Sequence, residues 1–141
     1  MVDDPDTTKV GLYNVVTGHG FGSTFQNCAE FCNSQHEFSV NGSLFREEHP
    51  EANVRTGCFD RIGEGVVPNQ FGTWPFGRAG WCPGQDVKPW VQDVSDALVS
   101  GENEITYRAL YRDQPYEPIR RGDGTMPELR LQTWLVRYEA R

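Results

Sequence analysis

Four cysteines constrain the fold of this chain more than any other feature of its sequence. Two of them bound the segment Cys28-Ala-Glu-Phe-Cys32, and the other two, Cys58 and Cys82, stand far apart. Four cysteines allow three disulfide pairings. We expect Cys28 to pair with Cys32, because cysteines at i and i+4 can meet across one tight turn. A bridge between Cys58 and Cys82 would then close a long loop and stabilise the fold by about 3 kcal/mol.

The alternative use of these cysteines is a zinc site with all of them as ligands. Structural zinc ligands often come as close pairs, whereas only Cys28 and Cys32 are close in this sequence. The disulfide interpretation is therefore preferred. It predicts a secreted or periplasmic protein, because disulfides persist in oxidising compartments.

The composition predicts one β-rich domain with many turns. The chain has 141 residues, enough for a sizeable core, and its 15 glycines and 9 prolines favour turns over long helices. The net charge of −7 argues against a nucleic-acid partner or an anionic membrane, and no apolar run is long enough to span a bilayer. Residues 1–8 lack the features of a signal peptide and are expected to be a flexible start, followed by a domain over residues 9–141.

Alternating apolar residues predict short strands separated by long loops. Asn41-Gly42, between two runs of β-forming residues, predicts a type I′ hairpin, because both central residues of that turn need a positive φ. A short helical turn is expected within residues 93–99. Loops are expected at residues 17–24, 47–74 and 113–125, and strands at residues 9–16, 36–40, 43–46, 87–94, 103–111 and 129–140. The pattern predicts an all-β fold, an antiparallel sandwich of jelly-roll type stapled by the disulfides.

Side chains close to the cysteines are the candidates for chemistry. Glu30 is a candidate acid or base, because a bridged turn would hold its carboxylate in one orientation; the alternative is a surface carboxylate on a turn. Arg78 could bind a carboxylate or a sugar oxygen, but an ion pair with an acidic residue of the chain is the better supported alternative. Trp74 and Trp81 could form a platform for a sugar ring, or pack in the core.

Metal and cofactor sites find little support in the sequence. His19 and His36 are the candidate metal ligands, but no third ligand follows at a suitable spacing. The glycine-rich loop from Gly18 to Gly22 lacks the Lys-Ser/Thr ending of a phosphate-binding loop. No metal and no cofactor is therefore expected.

The two cysteine motifs resemble those of the peptide-N-glycosidase F family, bacterial amidases that remove N-linked glycans from asparagine. The resemblance covers about residues 10–138 and corresponds to the C-terminal domain of that family. It rests on a glycine- and histidine-rich loop followed, in the same order, by Cys28-Ala-Glu-Phe-Cys32, His36, Gly57-Cys58, Trp74 and Arg78-Ala-Gly-Trp-Cys-Pro-Gly84.

The resemblance implies a fold, a set of site residues and a reaction. Family members have two jelly-roll domains side by side, an arrangement shared with copper-dependent peptide-amidating monooxygenases, and the resemblance implies the same two disulfides. By resemblance, Glu30 and Arg78 are catalytic, and Trp81, Trp74 and His19 contact the substrate. An activated water would attack the glycosylasparagine amide without a metal, releasing aspartate and a 1-amino sugar.

Departures from the family pattern leave more than one hypothesis open. The family's primary catalytic aspartate lies in an N-terminal domain that this sequence does not contain, and Gly77 stands where the family motif has an aspartate. The first hypothesis is an amidase domain that acts on an N-glycan or glycopeptide when a companion jelly-roll domain completes it. The alternative is a non-catalytic glycan- or protein-binding module of a larger secreted protein. A copper-binding domain, by analogy of fold alone, is the weakest hypothesis.

Overall fold

Seven strands carry the fold in the computed structural model, which describes residues 6–22, 27–68, 70–120 and 126–140. They are β1 (Thr7–His19), β2 (Ser34–Val40), β3 (Ser43–Glu48), β4 (Trp90–Asp93), β5 (Ile105–Tyr111), β6 (Gln114–Pro115) and β7 (Glu128–Glu139). Short 3-10 turns lie at Pro50–Asn53, Phe59–Glu64, Gln70–Gly72 and Ser95–Ala97. The all-β prediction is confirmed, and within the described residues no helix has the length and hydropathy needed to cross a membrane.

The first sheet has the strand order β4-β1-β7 with antiparallel pairing throughout. β1 pairs with β7 along its whole length, from Thr7 opposite Glu139 to His19 opposite Glu128. The expectation of a loop is therefore wrong for residues 17–19, because β7 still offers them a pairing partner; residues 23 and 24 lie outside the described residues. β1 begins at Thr7, so Thr7 and Thr8 belong to the sheet.

The second sheet has the strand order β3-β2-β5-β6 and is built on the predicted hairpin. Asn41 and Gly42 turn the chain with φ values of 49° and 87°, the left-handed values that a type I′ turn requires. The hairpin is longer than predicted, because β3 stays paired with β2 through Glu48. Glu47 and Glu48 are consequently strand residues rather than the beginning of a loop.

A hydrophobic core joins the two sheets. Its fully buried members come from β1, β2 and the residue after β4: Val10, Leu12, Phe38, Val40 and Val94. Half-buried Trp90 and Leu131 pack against them. Each large apolar side chain buried in this way contributes about 2 kcal/mol. The inner faces of the two sheets therefore meet as in a β-sandwich, as predicted.

Both predicted disulfides are present, and none of the cysteines is free. Cys28–Cys32 closes a tight turn in which the N–H of Cys32 donates to the carbonyl of Cys28 at 2.8 Å. Cys58–Cys82 ties together two parts of the long segment between β3 and β4. The zinc alternative is wrong, because no thiolate is left to bind the metal.

The remaining elements lie close to their predicted places. The short helical turn is present at Ser95–Ala97. β4 begins only at Trp90, directly after Pro89, which has no N–H to offer the sheet. β6 falls within the predicted loop of residues 113–125, where it pairs with the end of β5. Residues 121–125 of that loop lie outside the described residues.

Candidate functional site

Glu30 and Arg78 form a buried ion pair. Nε of Arg78 donates to Oε1 of Glu30 at 2.7 Å, and Oε2 of Glu30 accepts the backbone N–H of Gly20 at 3.1 Å. The Arg78 side chain is fully buried, whereas 13% of the Glu30 side chain is exposed. The carboxylate is therefore held from two sides and keeps a narrow access to solvent. An ion pair with an acidic residue is the arrangement that the sequence favoured for Arg78.

The Arg78 guanidinium has an acceptor for each of its N–H groups. Nη1 donates to the carbonyls of Trp74 and Phe76, at 3.4 and 3.2 Å. Nη2 donates to the carbonyl and the hydroxyl of Thr73, both at 3.2 Å. A buried charge is costly unless it is paired and hydrogen-bonded, and these contacts offset that cost. Because Arg78 has no donor left for a ligand, it can affect a bound ligand only through Glu30.

Aromatic rings enclose the Arg78 guanidinium. Its central carbon lies 5.3 Å from the ring centre of Phe31 and 4.8 Å from that of Trp81, within reach of cation–π attraction. Phe21 and Phe76 approach the Phe31 ring edge-to-face, at centroid distances of 5.2 and 6.2 Å. Phe21 and Phe76 are 50% and 40% exposed. An apolar aromatic row, Phe21–Phe31–Phe76, therefore reaches the surface beside the ion pair.

Close backbone contacts fix the segment that carries Arg78. The N–H of Ala79 donates to the carbonyl of Glu30 at 2.9 Å, and the carbonyl of Ala79 accepts the N–H of Gly18 at 3.0 Å. Residue 79 thus bridges β1 and the disulfide-closed turn. A Cβ on Gly18 would lie 1.8 Å from the carbonyl oxygen of Ala29, so only glycine permits this approach.

Packing explains the glycine at position 77. A Cβ at Gly77 would lie 1.8 Å from the carbonyl oxygen of Glu51, in the 3-10 turn Pro50–Asn53. No larger side chain can enter here unless that turn moves. The close approach of Glu51 therefore gives a local structural reason for a glycine at position 77.

A cleft of about 380 Å³, termed here the His19 cleft, lies next to the ion pair. Its lining includes Thr17, His19, Trp81, Pro83, Val87 and Arg130. The His19 ring stacks on the Trp81 ring at a centroid distance of 5.3 Å. Nε1 of Trp81 donates to the carbonyl of Gly18 at 2.8 Å, which fixes the indole at the end of β1.

The environment of His19 favours a neutral imidazole. Burial lowers the pKa of His19 and the positive charge of Arg130 lowers it further, whereas Glu30 and Glu128 act in the opposite direction. Nε2 of His19 lies 2.8 Å from Oγ1 of Thr17. A neutral ring stacked on an indole gives the cleft an apolar wall with polar edges, a surface that suits a sugar ring.

The Trp74 ring lies apart from this cleft. It packs against the Cys58–Cys82 bridge and lies 5.8 Å from the Phe59 ring. Only the backbone carbonyl of Trp74 reaches Arg78. Of the site residues that the sequence indicated, the structure thus brings together Glu30, Arg78, Trp81 and His19, and places the ring of Trp74 on the second disulfide.

His36, the other histidine considered as a metal ligand, is fully buried in β2. Its Nε2 lies 3.0 Å from the Ser34 hydroxyl and its Nδ1 lies 2.8 Å from the Tyr107 hydroxyl. Burial lowers the pKa of His36 to about 3, and the neighbouring His49 lowers it as well. In the part of the chain that the structure describes, no three His, Cys, Asp or Glu side chains are grouped to hold a metal ion.

Sequence reasoning missed two residues of the His19 cleft and one further polar cluster. Thr17 and Arg130 of the His19 cleft lie opposite each other in the register of β1 and β7, which spacing along the chain does not reveal. A second polar cluster contains Glu47, His49 and Glu51, within a stretch that was predicted to be a loop. The pattern of acidic residues around His49 was the only available signal for it.

A known family matches nearly the whole chain. Residues 3–136 match the family model described as peptide-N-glycosidase F, C terminal. The chain belongs to this family. Among curated proteins, it is similar to peptide-N(4)-(N-acetyl-beta-D-glucosaminyl)asparagine amidase F of Elizabethkingia miricola, with 26% identity over 108 residues. That match covers 73% of this chain and 28% of the relative.

Solved structures of peptide-N-glycosidase F share the fold. The enzyme from Flavobacterium meningosepticum, described as a glycosylasparaginase, aligns with a TM-score of 0.66 at 20% identity, over 96% of this chain and 41% of that one. A recombinant peptide: N-glycanase F aligns with a TM-score of 0.65 at 21% identity, over 95% and 40%. The likeness confirms the sandwich of jelly-roll type. This chain spans less than half of the length of those proteins.

Proposed function

We propose that this domain is the Glu30-bearing half of an amidase that hydrolyses the glycosylasparagine amide of N-glycopeptides, and that a companion jelly-roll domain completes it. The observation that carries the proposal is the geometry of Glu30. The side chain is 13% exposed, and its carboxylate is oriented by Arg78 and by the N–H of Gly20. A carboxylate oriented in this way suits proton transfer, because the distance to the reacting group is set in advance.

In the proposed reaction a water molecule attacks the carbonyl carbon of the asparagine side chain. The bond between that carbon and the glycosyl nitrogen breaks, and the products are aspartate and a 1-amino sugar. An aspartate of the companion domain accepts a proton from the water, and Glu30 assists proton transfer to the departing nitrogen. Arg78 is a positioning residue that acts through Glu30, and Trp74 supports it through its carbonyl. Trp81 and His19 form the wall that faces the sugar.

The exposed aromatic row Phe21–Phe31–Phe76 supports the part of the proposal that concerns a companion domain. It is half exposed beside the ion pair, at the place where a second domain would complete the site. Apolar surface of this kind next to a polar site is typical of an interface. The two disulfides support a secreted or periplasmic location for the assembled protein.

The test is deglycosylation of a denatured N-glycoprotein, read by mass spectrometry as conversion of asparagine to aspartate. The 141-residue chain is expected to be inactive alone and active with the N-terminal domain of a family member. Glu30→Gln should then lower the rate at least about 100-fold, the usual contribution of a positioned acid or base. Glu102→Gln, which removes the same charge at an exposed residue, is the control. A Glu30→Gln variant with the wild-type rate would refute the proposal.

A second candidate function is a non-catalytic glycan-binding module. It is favoured because every N–H donor of Arg78 already has an acceptor within the protein. An arginine whose donors all meet the protein's own acceptors stabilises a binding wall without taking part in chemistry. In this case the domain binds N-glycan, and asparagine is not converted to aspartate by the domain alone or together with the N-terminal domain of a family member. Trp81→Ala would abolish binding, whereas Glu30→Gln would leave it unchanged.

A further inference from the structure

A second cavity, separate from the Glu30–Arg78 pair, opens at the end of β3. Its volume is about 290 Å³, and its lining includes Glu47, His49, Glu51, Gly80, Trp81 and Trp90. Trp81 also lines the His19 cleft, whereas neither Glu30 nor Arg78 lines this second cavity. It is termed here the His49 cavity.

His49 contributes an unpartnered acceptor to this cavity. The residue is 6% exposed, and its Nδ1 lies 3.2 Å from Oε1 of Glu51. Burial raises the pKa of Glu51, but hydrogen bonds from His49 and from the N–H of Gly80 outweigh it and leave the pKa below its ordinary value. Because the Glu51 carboxylate can only accept, Nδ1 of His49 carries a proton, and in the neutral imidazole Nε2 is then an acceptor. Nε2 is buried and has no hydrogen-bond partner among the described residues.

Glu47 contributes a second acceptor of the same kind. Its Oε2 is buried and also lacks a partner within the described part of the chain. Burial raises the pKa of Glu47 to about 7, Glu51 adds to this effect, and His49 opposes it. The cavity therefore combines two buried acceptors that a bound donor would satisfy.

We propose that the His49 cavity binds a primary ammonium group at the end of an aliphatic chain. An ammonium has three donors and no acceptor, so one group can donate both to Nε2 of His49 and to Oε2 of Glu47. A hydroxyl has a single donor and satisfies only one of them. The rings of Trp81 and Trp90 line the same cavity and offer surface to the carbon chain and to the positive charge.

The charges around the cavity favour a cation. Four carboxylate and two cationic side chains line it: Glu47, Glu48, Glu51 and Asp86, against Arg61 and Lys88. Arg61 is already paired with Glu64. A metal ion is disfavoured, since the described residues include no suitable group of three ligating side chains. An ammonium group matches both the charge and the acceptors.

The proposal predicts that amine binding strengthens as the pH rises from 5.5 to 8. Protonation of Glu47 removes an acceptor, and each pH unit below its pKa of about 7 reduces the deprotonated fraction about tenfold. An alkylammonium stays charged over this range, as lysine does with its pKa of about 10.4.

Other groups that face Glu47 do not reverse this trend. They are His36, which lies opposite in β2, Tyr107 of β5, and His49, Glu51, Asp86 and Lys88 from the segment after β3. His36 stays neutral over the range, because burial lowers its pKa to about 3. Tyr107 also stays neutral, because burial raises its pKa to about 12.

The test is a titration of the 141-residue chain with n-butylamine and with n-butanol, a probe of similar size that offers a hydroxyl in place of the ammonium. Binding is followed by the NMR signals of the Gly80 amide and the indole N–H groups of Trp81 and Trp90. At pH 8 the amine is expected to bind at least about tenfold more tightly than the alcohol, because its donors are charged. The amine affinity should fall at least about tenfold at pH 5.5.

Two variants test whether the amine binds in the His49 cavity. Glu47→Gln should remove the advantage of the amine over the alcohol, and Glu102→Gln, at an exposed residue outside the cavity, should preserve it. Equal affinity for both probes would overturn the proposal, as would an amine affinity that is the same at pH 5.5 and pH 8. Shifts confined to His19 and Arg130 would place the amine in the other cleft and also overturn it. The contrast between the two probes needs only the unmodified chain, so it decides even if Glu47→Gln does not fold.

Discussion

The two buried polar clusters of this domain are built in opposite ways. Around Arg78 every donor has an acceptor, and the arginine holds Glu30 in place. Around His49, two acceptors, Nε2 of His49 and Oε2 of Glu47, have no partner among the described residues. A satisfied network is rigid, whereas an unsatisfied buried acceptor is costly until a donor arrives. The first cluster therefore serves to position a group, and the second is suited to receive one.

The largest effect on stability should come from removing Arg78, the centre of the fully hydrogen-bonded cluster. Arg78→Met should lower the free energy of unfolding by about 3–5 kcal/mol, because it leaves the largely buried Glu30 carboxylate without its counter-ion. Urea unfolding measures this directly. Arg130→Met is the control: its side chain is 68% exposed and pairs with Glu128, so its loss should stay below about 1 kcal/mol. Equal losses in the two variants would show that the Arg78 network is not a stabilising unit.

A smaller loss should follow from disturbing the backbone that supports Glu30. Gly18→Ala places a Cβ 1.8 Å from the Ala29 carbonyl oxygen, so the strand or the disulfide-closed turn must move, at a cost of up to about 3 kcal/mol. Gly63→Ala has nothing within 4 Å of its new Cβ and should be nearly neutral. Thermal unfolding of both variants tests the difference, and a neutral Gly18→Ala would mean that this contact is loose.

The smallest effect is expected in the unsatisfied cluster, and it should have the opposite sign. Folding raises the pKa of Glu47 from 4.5 to about 7, mainly through burial, so its contribution to stability is complete below pH 4.5 and is lost as the pH rises to about 7. Glu47→Gln stays neutral and avoids this loss. Since Glu47 is only half-buried and solvent screens its charge, the variant should be more stable than the wild type by about 1 kcal/mol at pH 8.

The control for this prediction is pH itself. At pH 4 the gain from Glu47→Gln should disappear, because the carboxyl is then neutral in the folded and the unfolded chain. Urea unfolding at pH 4 and pH 8 separates the two cases. A variant that loses stability equally at both pH values would show that Glu47 has a hydrogen-bonding partner.

Local rules predicted much of the fold. Asn41-Gly42 specified the hairpin through its φ values, and Cys28 and Cys32 were close enough in sequence to meet across one turn. The same rules failed at residues 17–19, where glycine and histidine favoured a loop but β7 supplied a pairing partner. They also failed at Glu47 and Glu48, because a strand can continue through charged residues when one face of it is exposed to solvent.

The sequence by itself determined the all-β class, the hairpin, the Cys28–Cys32 disulfide and the family motif around Glu30 and Arg78, since these depend on short-range spacing and on residue type. The Cys58–Cys82 disulfide followed as the pairing left for the other two cysteines. Only the tertiary structure decided that Arg78 has no donor to spare, that Gly77 faces the carbonyl of Glu51, and that His49 and Glu47 line one cavity with Trp81. The physical reason is that a buried polar group takes its character from the partners that surround it. Most of those partners come from distant parts of the chain, and only packing brings them together.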